Sequence, residues 1–198
     1  LNYFVLLFFI SAFLSATTFL LRMYFIEEQY ILSHSLRTQS ILLETWYQFR
    51  MVLTEELLCR GALLYILIKI IGQIKAISIS SVIFAIMHWL NAGVWGNVTQ
   101  MIIVFTFTFL MGLLLAYSYA RTSSLFFPFA IHFGWNLTQN YIFPDSSVGN
   151  HIFTLVNPVP IVTISYLTFF TMLLLPKIAV LVIDYLIIKQ HRQVDYTS

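Results

Sequence analysis

Apolar residues fall along this chain in long blocks, separated by short polar joints. A helix needs about 20 apolar residues to cross the hydrocarbon core of a bilayer. By that measure six spanning helices are expected. The first covers about Leu1 to Ile26, with Arg22 near its end, and the second about Trp46 to Ile71, carrying Glu55, Glu56 and Arg60. A short third segment runs from about Ala76 to Leu90, a fourth from Asn97 to Ala120 and a fifth from Ser124 to Phe143. The last, about Pro158 to Ile188, is long enough to be tilted, or bent at Pro176 where a backbone donor is missing. The stretch from Glu27 to Arg50 is polar and is expected outside the membrane.

The joints agree with this partition. Gly72-Gln73, Asn91-Ala92-Gly93, Arg121-Thr122-Ser123 and Pro144-Asp145-Ser146-Ser147 all carry turn-forming residues. With no internal repeat, low-complexity run or linker, residues 1–198 read as one all-α polytopic bundle. Its motif-bearing core covers about 46–143. The first block has no charge up to Leu21 and no basic region before it, so it reads as a spanning helix rather than a leader. Gly112 and Ala116 form a small-xxx-small pair suited to close helix contact.

Composition strengthens the membrane assignment. Charged residues make up 9% of the chain, against about 25% in soluble domains. Hydrophobic residues reach 60% and mean hydropathy is +0.87. A chain of this size cannot hide that much apolar surface within itself, so lipid must solvate it. The net charge of +2 and the lack of any Lys/Arg-rich run argue against nucleic acid as a partner. The single cysteine, Cys59, excludes an internal disulfide and any multi-cysteine metal site.

Three polar groups fall where hydropathy demands lipid depth. An ionised side chain at the bilayer centre costs about 2.5–3.5 kcal/mol even on the lenient insertion scale. Glu55, Glu56 and Arg60 must therefore face protein, and the i,i+4 spacing lets Glu56 pair with Arg60. Glu55 points about 100° away from Glu56, which leaves it as a carboxylate available for other work. His88 ends the third segment, and His132 and Asn136 share one face of the fifth. Alternating the segments puts Glu55, His88, His132 and Asn136 in one half of the membrane. A base, two imidazoles and an amide at one depth form a plausible hydrolytic site.

Other readings compete. A lone intramembrane histidine often only bridges helices, and Glu56–Arg60 reads as structural rather than catalytic. Glu55 or Glu56 with His88 and His132 is a reasonable Zn²⁺ ligand set, although there is no H-E-x-x-H helix and Arg60 disfavours a second cation. A non-catalytic peptide-binding or immunity protein would use the same groups for binding. Ion transport is disfavoured by the lack of inverted repeats. Asp184 and Lys177, near a membrane end, are expected to snorkel to water. His34, His151 and His191 are expected in loops or the tail.

The motifs E-E-x-x-x-R (Glu55, Glu56, Arg60), F-x-x-x-H (Phe84, His88) and H-x-x-x-N (His132, Asn136), in that order, resemble the CPBP family. These are the CAAX proteases and bacteriocin-processing enzymes, also called the Abi family. Phe109-x-x-Gly112 is similar to its pattern as well. The resemblance covers about Glu55 to Asn136. It implies an intramembrane endopeptidase that works without a cofactor and without a covalent intermediate, on a membrane-associated or leader-bearing peptide. Glu55 would activate water and His88 would help to hold it. His132 and Asn136 would polarise the scissile carbonyl, and Glu56 and Arg60 would support the base.

Cations bear on orientation. Lys69, Lys75, Arg121, Lys189 and Arg192 fall on one side, against Arg22, Arg37 and Arg50 on the other. The positive-inside rule makes the first side cytoplasmic. A multi-pass protein of the cell membrane is expected, with the Glu55 half facing away from the cytoplasm. Trp46, Tyr47, Trp89, Trp95 and Tyr141 gather toward that other interface.

Overall fold

A computed structural model describes residues 2–34, 36–144, 151–156 and 161–191. Leu1, the joint at 145–147, Pro158 at the expected start of the last segment and Arg192 lie outside the described residues. The chain is almost wholly helical, and each of the six apolar blocks becomes helix. These are α1 (Asn2–Ile26), α2 (Thr38–Glu56), α3 (Tyr65–Ile71), α4 (Gln73–Met87), α5 (Val98–Thr122), α6 (Phe126–Leu137) and α7 (Tyr166–Lys189). Wider π-helical turns continue α2 into α3 (Leu57–Leu64) and extend α6 (Thr138–Ile142), and a 3₁₀ turn, His88–Leu90, ends α4.

Four helical stretches are long and apolar enough to cross a membrane: α1, Gln73–Leu90, α5 and α7. The helix bearing Glu55 falls short on hydropathy because its polar residues dilute it, and α6 falls short on length. Two expectations shift. Helix α2 starts at Thr38, inside the stretch expected to be extramembrane, so Glu44 and Arg50 are helical. Helix α7 starts only at Tyr166 and runs unbroken through Pro176.

The described chain forms two compact units. One comprises Leu1–Leu53 with Ala130–Val182, the other Thr54–Phe129 with Ile183–Ser198. In the first unit α1 and α6 pack so closely that a Cβ on Gly134 would collide with the Phe8 carbonyl. Ser15 Oγ adds a hydrogen bond to the Trp135 carbonyl (3.2 Å). Beyond α1, Tyr30–Leu32 (β1) pairs antiparallel with Phe153–Leu155 (β2), Tyr30 opposite Leu155. Three-residue runs carry no legible period, so the hydropathy pattern does not announce this pair. Phe143 stacks between Phe19 and Phe153, with centroids 5.3 and 4.9 Å away. Arg22 reaches buried Glu28 at 2.7 Å.

In the second unit α4 lies along α5, and Leu64, Ile68, Ala76, Ala116, Tyr119 and Ala120 form its core at one end. Lys69, Lys75 and Arg121 sit on the helix ends around that core. Arg121 also donates to the carbonyls of Ile188, Lys189 and His191, satisfying acceptors that the end of α7 leaves open. Four of the five cations assigned to one side therefore share one end of this unit. Asn97 caps α5 by accepting from the Gln100 amide (3.1 Å).

Candidate active site

The motif residues divide between the two units. Glu55, Glu56, Arg60, Phe84 and His88 belong to the second, His132 and Asn136 to the first.

Glu56 and Arg60 form the expected pair, Nη1 to Oε1 at 3.0 Å, with both side chains fully buried. The guanidinium also lies over the Phe84 ring, 4.1 Å from its centroid. A planar cation can give one edge to a carboxylate and one face to a ring, which lysine could not do. Arg60 Nε and Nη2 are buried without a hydrogen-bond partner among the described residues, so the aromatic face carries much of the cation's stabilisation. Glu55 occupies the last turn of α2, half-buried, one residue before Glu56.

Phe84 does more than its hydrophobicity suggests. Its carbonyl accepts from His88 Nδ1 at 2.8 Å, and its ring meets the His88 ring edge-on at 4.5 Å. A carbonyl only accepts, so Nδ1 carries a proton, and in the neutral ring Nε2 is then the acceptor. Gly112 makes room for this residue. A Cβ there would sit 3.2 Å from Ser81 and 3.3 Å from the Phe84 ring. Ser80 Oγ ties α4 to the π-helical turn by donating to the Cys59 carbonyl (3.2 Å).

In the first unit the Asn136 amide donates to His132 Nε2 at 3.0 Å. The neutral proton of His132 then resides on Nδ1. His132 is buried, and Asn136 is half-buried. Thr138 and Gly134 hold the turn between them, Oγ1 donating to the Gly134 carbonyl (3.0 Å).

Asp184 corrects an expectation. It does not snorkel to water but is fully buried, in line with Val180 and Ile188 on α7. The i,i+4 spacing of these three residues marked that face, and nearness to the helix end was the weaker guide. His191 likewise packs its ring against Phe127, centroids 5.0 Å apart. Sequence reasoning missed the structural part of Phe84, whose motif spacing from His88 was the available signal. No three His, Cys, Asp or Glu side chains are grouped to hold a metal ion among the described residues.

The model of the Rce1-like type II CAAX prenyl endopeptidase family matches residues 37–138, just over half of the chain. The matched stretch starts one residue before α2 and contains every motif residue from Glu55 to Asn136. No curated protein and no solved structure matches the chain.

Proposed function

The chain belongs to the Rce1-like type II CAAX prenyl endopeptidase family, a protease family, and on that premise we propose that it hydrolyses a peptide bond with a water activated by Glu55. The substrate is a membrane-associated or leader-bearing peptide. Glu55 takes the proton of the attacking water, and the Nε2 lone pair of His88 accepts that water's other hydrogen and orients it. His132 and Asn136 donate to the carbonyl oxygen as it gains charge, an arrangement worth about 10²–10³-fold in rate per donor. Glu55 then returns the proton to the leaving amine, so no covalent intermediate forms. Glu56 and Arg60 hold the π-helical turn and keep a fixed positive charge near the base.

The observation that carries this reading is the His88 tautomer. A backbone carbonyl takes the Nδ1 proton in a hydrogen bond, so in the neutral ring Nε2 is the nitrogen that can accept from water. Arg60 also argues against a resident metal, since a second cation next to it would be repelled.

Peptide products compared by mass spectrometry, from membranes holding wild type, Glu55→Ala or His132→Ala, test the proposal. Loss of product in both variants is expected. Turnover is also expected to survive excess chelator. Unchanged products in both variants would sink the catalytic reading, and activity lost to chelator and restored by Zn²⁺ would sink the metal-free one.

A further inference from the structure

The strand pair that follows α1 has an open edge. The Val156 amide donates to the Gln29 carbonyl (2.9 Å) and the Ser33 amide to the Ile152 carbonyl (3.0 Å), with Ile31 opposite Thr154 between them. Residues of an antiparallel ladder turn their backbone groups toward the partner alternately. Gln29, Ile31 and Ser33 therefore face β2, and Tyr30 and Leu32 turn their N–H and C=O groups the other way. The sheet has two strands, so no strand lies beyond β1 among the described residues. Ile31 is 47% and Leu32 59% exposed, so the chain does not cover that side itself.

Two strands of three residues are marginal alone, yet this pair is held from both of its neighbours. The Phe143 ring stacks between Phe19 of α1 and Phe153 of β2. The Tyr30 ring meets Phe19 and Phe143 edge-on, with centroids 6.0 and 5.7 Å away. The Ile152 amide donates to the Tyr141 carbonyl (3.1 Å), which ties β2 to the π-helical extension of α6. Edges are commonly blunted by lysine, proline or a bulge, whereas Tyr30, Ile31 and Leu32 are uncharged and include no proline. An edge left in lipid would keep polar backbone unsatisfied. A fixed, unblunted edge is a template for one more extended strand.

We propose that the outer edge of β1 binds the extended backbone of the peptide substrate, one residue of which exchanges hydrogen bonds with the N–H and C=O of Leu32. This rests on the peptidase reading above and gives that site a means of holding its substrate extended. Position favours the substrate as the occupant. The sheet, His132 and Asn136 belong to one compact unit. The extension of α6 joins them, with Tyr141 five residues beyond Asn136. Along that route a strand added to β1 lies about 20 Å from Asn136, the length of about six extended residues. Main-chain bonds supply affinity without reading side chains, so the edge would orient peptides of varied sequence.

The test uses the full chain in detergent with a fluorescent, farnesylated peptide ending in C-a-a-X. Binding is read by anisotropy on the Glu55→Ala protein, and cleavage on wild type. Methylating the peptide's backbone nitrogens one at a time removes one donor at a time. In an added strand only alternate residues turn toward β1. Binding should therefore weaken about tenfold at one such residue and stay unchanged at its two neighbours. Leu32→Pro removes the outward donor at a place where an edge strand tolerates proline. It should weaken the unmodified peptide to a similar degree and abolish the effect of that methylation. Leu32→Ala keeps the donor and should bind as before. Methylation without effect at every position overturns the proposal, as does an equal effect in Leu32→Pro or failure of the peptide to bind. A dimer that Leu32→Pro turns into a monomer would give the edge to a second copy and overturn it as well. Edge-dependent binding without cleavage would keep the edge and sink the peptidase reading. Cleavage indifferent to methylation and to Leu32→Pro would do the reverse.

Discussion

Arg60 shows at the scale of one residue how the membrane interior raises the stakes. Its guanidinium is fully buried between one carboxylate and one aromatic face. Removing one partner of such a pair strands the other charge, at about 3–5 kcal/mol. Arg60→Ala should therefore unfold far more readily than wild type in detergent melts, with Arg60→Lys recovering only part of the loss. Replacing Glu56 and Arg60 together by Leu should cost less than either single change. A double variant as unstable as the sum of the singles would contradict this account of the pair. The i,i+4 spacing made the pair legible in the sequence, because neighbours on one helix face need no tertiary information. The Phe84 ring beneath it was not legible, since it comes from another helix.

At the scale of elements, glycine positions separate tight packing from open space. A Cβ on Gly134 would overlap the Phe8 carbonyl, and backbone on both helices leaves little room to yield. Gly134→Ala should destabilise the protein by about 2–3 kcal/mol. Gly61→Ala meets only the Leu125 and Leu57 side chains and the Glu56 carbonyl, at 3.6–3.9 Å. It should stay within about 1 kcal/mol of wild type, helped by alanine's better helix propensity. Thermal melts of the two variants side by side check the contrast, and equal effects would refute it. The helices themselves follow from runs of apolar residues. Their boundaries follow less well, as the early start of α2 shows, because polar residues turned inward do not interrupt a helix as they interrupt a hydropathy window.

For the whole molecule, the cations at one end of the second unit give an orientation to test. Lys69, Lys75 and Arg121 surround one helical end, and Arg121 holds the Lys189 carbonyl there. His88 and Trp89 lie at the opposite end of α4, about 22 Å along the helix from Gln73. By the positive-inside rule the cationic end is expected to face the cytoplasm. With Cys59 replaced by Ala, a membrane-impermeant maleimide applied to intact cells should label Trp95→Cys. Lys75→Cys should be labelled only after permeabilisation. The opposite pattern would reverse the orientation and turn the His88 end toward the cytoplasm.

The sequence by itself determined that this is a helical, multi-pass membrane protein of a protease family. Lipid solvation writes itself into composition and block length, and the motifs lie within single helices at fixed spacing. Only the tertiary structure decided that Asp184 is buried and that Phe84 supports both Arg60 and His88. Each of these depends on which residues from distant parts of the chain meet, and helical periodicity says which face a residue occupies without saying what lies across from it.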